Sequence, residues 1–220
     1  MTRSTLFPWS FATIPGAMRI GLLGGSFNPI HRGHLAIARA ARSSLALDRV
    51  VLIPSARPPH KKDTSLAPAE DRLAMTRLAA RDEPGLEVSA IELERTGPSY
   101  TIDTVRAFRD SNPGAEVSFI IGADTLPELK TWRDVRTLLS LATFAVAARP
   151  GNDDLVRDAE LVKKDLGGAV VTVPIEPDPV SATGIRELVR AGKPIDGLVP
   201  DAVRDYIVAH DLYRERATRT

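Results

Sequence analysis

Short apolar runs rich in β-branched residues recur along the chain: Arg19–Leu23, Val50–Ile53, Leu86–Ser89, Val117–Ile121, Phe144–Ala147 and Ala169–Val173. Runs of this length and continuity predict strands covered on both faces. The segments between them change character. Leu35–Arg42 is alanine-rich, and Ala69–Ala80, Thr101–Arg109 and Asp154–Leu166 carry apolar residues near helical spacing. Ile185–Arg190 and Asp201–His210 add two further helical stretches, the second closing the domain. Strands alternating with helices predict an α/β fold, a Rossmann-like doubly wound parallel sheet in a single domain. There is no internal repeat and no low-complexity tract. In such a sheet a ligand sits beyond the carboxyl ends of the strands, where the first strand meets its neighbours.

The flanks and one internal loop break the alternation. Residues 1–17 contain Pro8, Trp9 and Pro15 without the apolar core or cleavage pattern of a signal peptide. They are expected to form a flexible N-terminal extension, with Met18 as a candidate natural start, residues 18–213 as the folded domain and 214–220 as a tail. The stretch from Pro54 to Pro68 is long and rich in Pro, Lys and Ser, so it is expected to be a mobile substrate loop.

Composition narrows the chemistry. The 220 residues suffice for one substantial core, and 29 basic against 28 acidic residues leave no global electrostatic signature for nucleic acid or a membrane surface. No apolar run approaches the roughly 20 residues needed to span a bilayer. The absence of cysteine excludes disulfides, thiolate zinc sites and cysteine nucleophiles, and fits the expected cytoplasmic location.

The most informative stretch follows the first strand: Gly24-Gly25-Ser26-Phe27-Asn28-Pro29-Ile30-His31-Arg32-Gly33-His34. A glycine turn lets a polyphosphate approach the backbone, and two histidines at the mouth of a helix can donate to its oxygens. A zinc pair is the rival reading, but no H-E-x-x-H pattern or third ligand accompanies it. Far downstream, Ser181-Ala182-Thr183 precedes another helix. Its hydroxyls can cap that helix or meet phosphate, and Arg186 one turn later offers a planar fork.

These two stretches together resemble the motifs of the HxGH nucleotidyltransferase superfamily. Class I aminoacyl-tRNA synthetases carry a similar histidine element but need much more chain. Ser181 to Arg186 is similar to the family's ISSTxxR element, with Val180 and Ala182 in place of the usual Ile and second Ser. Further stretches resemble bacterial nicotinate-nucleotide adenylyltransferases. Ile53 to Lys61 looks like the IPxxxPPHK loop, with His60 and Lys61 presenting positive charge. Ser99 to Thr104 looks like SYTxxTL, and Gly122-Ala123-Asp124 like GxD. Trp132 falls where the family places an aromatic that stacks on the pyridine ring. Arg133 stands where many relatives have a second aromatic, and is expected either to attract the acceptor's carboxylate or to face solvent. The likeness runs from Met18 to Tyr213, whose Leu212-Tyr213 matches an xxLY ending.

The resemblance implies the HxGH nucleotidyltransferase fold and transfer of the adenylyl group of ATP to nicotinate mononucleotide, giving deamido-NAD and pyrophosphate. It implies ATP contacts at Gly24, Gly25, Ser26, Phe27, His31, His34, Gly122, Asp124, Ser181, Thr183 and Arg186. His31, His34 and Arg186 are the catalytic candidates. The mononucleotide falls to Lys61, Thr101, Trp132 and Arg133. Mg²⁺ is expected to arrive with ATP, without a cage of protein ligands. Expected partners are the two substrates, with no nucleic acid or membrane and with homo-oligomerisation open. The same chemistry on nicotinamide mononucleotide, and a non-catalytic nucleotide sensor, are the alternative functions.

Overall fold

All the anticipated strands form, and they lie side by side in a single parallel sheet. In chain order they are β1 (Arg19–Gly25), β2 (Arg49–Pro54), β3 (Leu86–Val88), β4 (Glu116–Gly122), β5 (Thr143–Ala148) and β6 (Val170–Pro174). The spatial order is β3-β2-β1-β4-β5-β6, with every neighbouring pair parallel. The chain therefore steps outward from β1 to one edge, then returns to lay β4 on the other side of β1. That reversal opens a crevice at the carboxyl ends of β1 and β4. The computed structural model describes residues 16–56, 66–148, 153–176 and 178–214. Most of the proposed extension, residues 57–65 of the proposed substrate loop and residues 215–220 of the tail lie outside them.

Two apolar layers follow from the two-residue period of the strands. Ile20, Leu22, Val51, Ile53, Val117, Phe119, Ile121, Phe144 and Val146 face one layer. It is closed by α3 (Thr101–Ser111), a 3₁₀ helix (Ala123–Thr131), α4 (Val135–Leu141) and α5 (Asp153–Leu166). Leu23, Val50, Leu52, Ile120 and Ala145 face the opposite layer. There α1 (Arg32–Ser44), α2 (Ala69–Ala80), α6 (Ala182–Arg190) and α7 (Asp201–Ala209) pack through Ala38, Met75, Ile185 and Val203. None of the helices among the described residues is long and apolar enough to cross a membrane.

The structure departs from the sequence pattern in three places. α1 begins at Arg32 rather than Leu35, so His31 becomes its N-cap and His34 lies inside its first turn. α6 likewise begins at Ala182 rather than Ile185. Beyond β4 the chain enters the 3₁₀ helix, because Pro127 lacks the N–H an α-helix interior needs. It then makes α4, whose seven residues bury Leu138 and Leu139 but are too few to show a period.

Gly21 in the middle of β1 is a packing constraint that the pattern alone does not reveal. A Cβ there would lie 2.7 Å from Leu47 Cδ1, 3.0 Å from Ile120 Cδ1 and 3.1 Å from Val50 Cγ2. Gly21→Ala is expected to cost about 1–3 kcal/mol by overpacking, read from the urea unfolding midpoint.

Candidate active site

The turn from β1 into α1 is built around Phe27. Its side chain is fully buried and its φ of 43° is left-handed, a conformation that costs energy for an aromatic residue. Gly25 is required beside it, since a Cβ would come within 2.9 Å of the Phe27 ring. That ring meets His34 edge-on at 5.0 Å, and the His31 and His34 rings lie 3.7 Å apart. The His31 N–H donates to His34 Nδ1 at 3.2 Å. An accepting Nδ1 leaves the neutral ring's proton on Nε2, so His34 can donate from that side. His31 is buried, and burial, aided by the charge of Arg32 and opposed by Asp178, pulls its pKa down to about 4.

α6 delivers the second half of the site. Ser181 caps it, with Oγ accepting from the Gly184 N–H at 3.1 Å. The helix mouth, with its unpaired first-turn N–H groups, favours an anion. Arg186 is buried, and its Nη1 donates to the Asn28 carbonyl at 2.9 Å while Nη2 reaches Thr183 Oγ1 at 3.5 Å. Residues 158 apart in sequence are thereby brought together at one spot. The two helix mouths are also tied directly. Arg32 forms a fork to Asp178, at 2.9 and 3.1 Å, and donates to the Gly197 carbonyl at 3.0 Å. The Arg32 hydrogen bond, supported by the Val180 N–H, holds the Asp178 carboxyl below its usual range. Gly33 keeps the passage between them narrow, because a Cβ there would sit 3.0 Å from Val180.

On the opposite layer, Thr101 opens α3 directly after Tyr100, and Ser99 Oγ accepts from the Ala56 N–H at 3.1 Å at the end of β2. Trp132 is half-buried, its ring edge-on to Phe119 and Phe144 at 6.1 Å each. The Arg133 guanidinium carbon lies 4.7 Å from the centre of the Tyr100 ring. Arg133 is otherwise exposed, so its charge is placed over the Tyr100 ring while remaining open to solvent. Asp124 is exposed just beyond β4, and its Oδ1 occupies space that a Cβ on Gly122 would crowd to 2.5 Å. Lys61, with its neighbour His60, lies outside the described residues.

Sequence reasoning passed over three groups that surround the turn. Asn28 is buried, and its Oδ1 accepts from the Ala67 N–H at 3.0 Å and the Tyr213 hydroxyl at 2.9 Å. Burial pushes the Tyr213 hydroxyl's pKa well up, against the pull of Arg186 and Arg72. Arg72 is almost fully buried and donates only to carbonyl oxygens among the described residues. Its signal was in the chain. Arg72, Met75, Thr76 and Ala79 fall on one helical stripe, where two polar residues interrupt an otherwise apolar face.

Residues 22–188 match the Cytidylyltransferase-like family model. The probable nicotinate-nucleotide adenylyltransferase of Corynebacterium kroppenstedtii is 42% identical over 195 residues, covering 89% of this chain and 90% of that one. Its counterpart in Roseiflexus sp. is 46% identical over 197 residues, covering 89% and 98%. The chain belongs to the nicotinate-nucleotide adenylyltransferase family. The fold agrees: a Plasmodium falciparum nicotinic acid mononucleotide adenylyltransferase, solved in complex with NaAD, superposes with a TM-score of 0.71 at 16% identity. That match covers 89% of this chain and 97% of that one.

His31 links the site to stability. Its folded pKa lies below the unfolded value near 6.5, so the unfolded chain binds the extra proton as pH falls. Stability from this group is full above pH 6.5 and is lost on acidification towards pH 4. Urea unfolding is expected to show a loss of roughly 2 kcal/mol between pH 7 and pH 4.5 from His31, and His31→Gln should flatten that slope.

Proposed function

We propose that the protein transfers the adenylyl group of ATP to nicotinate mononucleotide, giving nicotinate adenine dinucleotide and pyrophosphate, with residues 18–213 as the catalytic unit. The observation that supports the residue assignment is the convergence of the His31–His34 turn and the mouth of α6 through the Arg186 to Asn28 hydrogen bond. Two positive helix ends then face the same place, at the carboxyl edge between β1 and β4. Gly24, Gly25, Ser26 and Phe27 are assigned to the ATP phosphates, together with His31, His34, Ser181, Thr183 and Arg186. Gly122 and Asp124, at the end of the neighbouring strand, are assigned to the rest of the nucleotide.

The acceptor's phosphate is ionised at neutral pH and is itself the nucleophile, so the chain need not supply one. Its oxygen bonds to the α-phosphorus of ATP as the bond from that phosphorus to the bridging oxygen breaks, and the electron pair leaves with pyrophosphate. The work left to the protein is alignment and stabilisation of the charge that develops. His34 donates from Nε2 to the α-phosphate because its Nδ1 is occupied by the His31 N–H. Arg186 and the α6 mouth hold the leaving group. Trp132, Thr101, Arg133 and Lys61 are assigned to the acceptor. Trp132 is assigned to stack on the pyridine ring, and the Arg133 charge to attract its carboxylate.

A divalent ion, here Mg²⁺, would neutralise phosphate charge. Among the described residues no group of three or more His, Cys, Asp or Glu could hold such an ion. The ion is expected to arrive with ATP rather than to be held by a cage of protein ligands. The reaction is assigned to the cytoplasm.

Pyrophosphate release with ATP and Mg²⁺, measured in parallel with nicotinate and nicotinamide mononucleotides, tests the reading. A strong preference for the acid is expected, because donors placed for a carboxylate are left unpaired by an amide. Silence with both would overturn it. His34→Ala should lower kcat by about a hundredfold or more with little change in KM, as for a contact that strengthens in the transition state. An unchanged kcat in the folded variant would remove His34 from the mechanism.

A further inference from the structure

Arg72 lies beneath the turn that follows β1. It is 1% exposed, and its guanidinium reaches carbonyls of three separate segments. Nη1 donates to Ser26 O at 2.7 Å and to Ser55 O at 2.7 Å, Nη2 to Ala56 O at 3.4 Å, and Nε to Ala67 O at 3.0 Å. The adjacent carboxylate, Asp71, accepts instead from the Tyr206 hydroxyl at 2.9 Å.

The Ser26 contact has a directional consequence. In a trans peptide the C=O and the following N–H point opposite ways, and the Ser26–Phe27 bond is trans. A guanidinium holding the Ser26 carbonyl inward therefore aims the Phe27 N–H outward. No carbonyl or side chain among the described residues accepts from that N–H. Phe27 cannot relax out of this orientation without releasing a buried ring from a left-handed backbone.

We propose that Arg72 is a positioning residue that fixes the Phe27 N–H as a preset phosphate donor. It touches neither substrate, and this role rests on the adenylyl-transfer reading only for which phosphate is bound. Its planar fork suits this role, since four carbonyls from three segments meet donors at fixed angles that a guanidinium offers and a single ammonium does not. The charge it leaves in the interior also favours an anion on the other side of the peptide.

The test is titration of ¹⁵N-labelled protein with inorganic pyrophosphate, following the amides of Phe27 and Thr183. In the wild type both amides are expected to shift and to saturate together. In Arg72→Lys the Phe27 response is expected to disappear while that of Thr183 at the α6 mouth survives, and kcat/KM for ATP to fall about tenfold. Mere loosening of the fold would weaken both responses alike. A Phe27 amide that ignores pyrophosphate in the wild type overturns the proposal, and this arm holds even if Arg72→Lys fails to fold. So does a variant in which Phe27 responds normally and kcat/KM is unchanged. A wild type that releases no pyrophosphate with either mononucleotide, yet shows the Phe27 response and its selective loss in Arg72→Lys, would sink the adenylyl-transfer reading and support the role of Arg72.

Discussion

A phosphate turn has to meet two opposing demands: its N–H groups must stay unspent for an anion, and its backbone must not collapse onto itself to spend them. In this protein the conflict is resolved by holding the turn through its carbonyls. Arg72 takes Ser26 O from α2, and Arg186 takes Asn28 O from α6. Asn28 in turn binds Ala67 and Tyr213 through its side chain. Helices from the middle of the chain and the residues near its end thus converge on a few peptides after β1. A buried guanidinium is costly unless its donors are satisfied, and for Arg72 backbone carbonyls supply the acceptors.

The same economy governs the histidines. His31 is both helix cap and buried neutral ring, and its backbone N–H sets the tautomer of His34. A neutral imidazole with a fixed donor gives a directed hydrogen bond without the desolvation cost of a second buried charge. On the proposed reading, attraction for polyphosphate comes from helix ends and arginines rather than from the chain's net charge, which is nearly zero. The Arg32–Asp178 fork keeps the two helix mouths in register, so that an anion meets both.

The side proposed for the acceptor is assembled on different principles. Trp132 packs in T-shaped contacts against Phe119 and Phe144, residues of neighbouring strands, and stays half-buried. Arg133 lies over Tyr100, so a cation and an aromatic from separate segments form one wall. The 3₁₀ helix imposed by Pro127 carries the chain from Asp124 to this wall in a single short segment.

The fold was legible because every strand of a parallel sheet is buried on both faces, and such burial leaves short apolar runs that helices must separate. The histidine turn and the α6 mouth were legible too, since glycine, histidine and arginine at those spacings have few other uses. The helix starts were less so. A cap such as His31 is defined by backbone dihedrals rather than by residue type, and α4 is too short to carry a period. What only the tertiary structure decided is which distant groups complete the turn. Arg72 marks itself only as a polar residue on an apolar stripe of α2, and its carbonyl partners, like the Ala67 N–H and Tyr213 hydroxyl that meet the Asn28 side chain, are brought near by packing alone. A carbonyl acceptor leaves no mark on the residue type that carries it, so a contact of this kind cannot be read before the chain is folded.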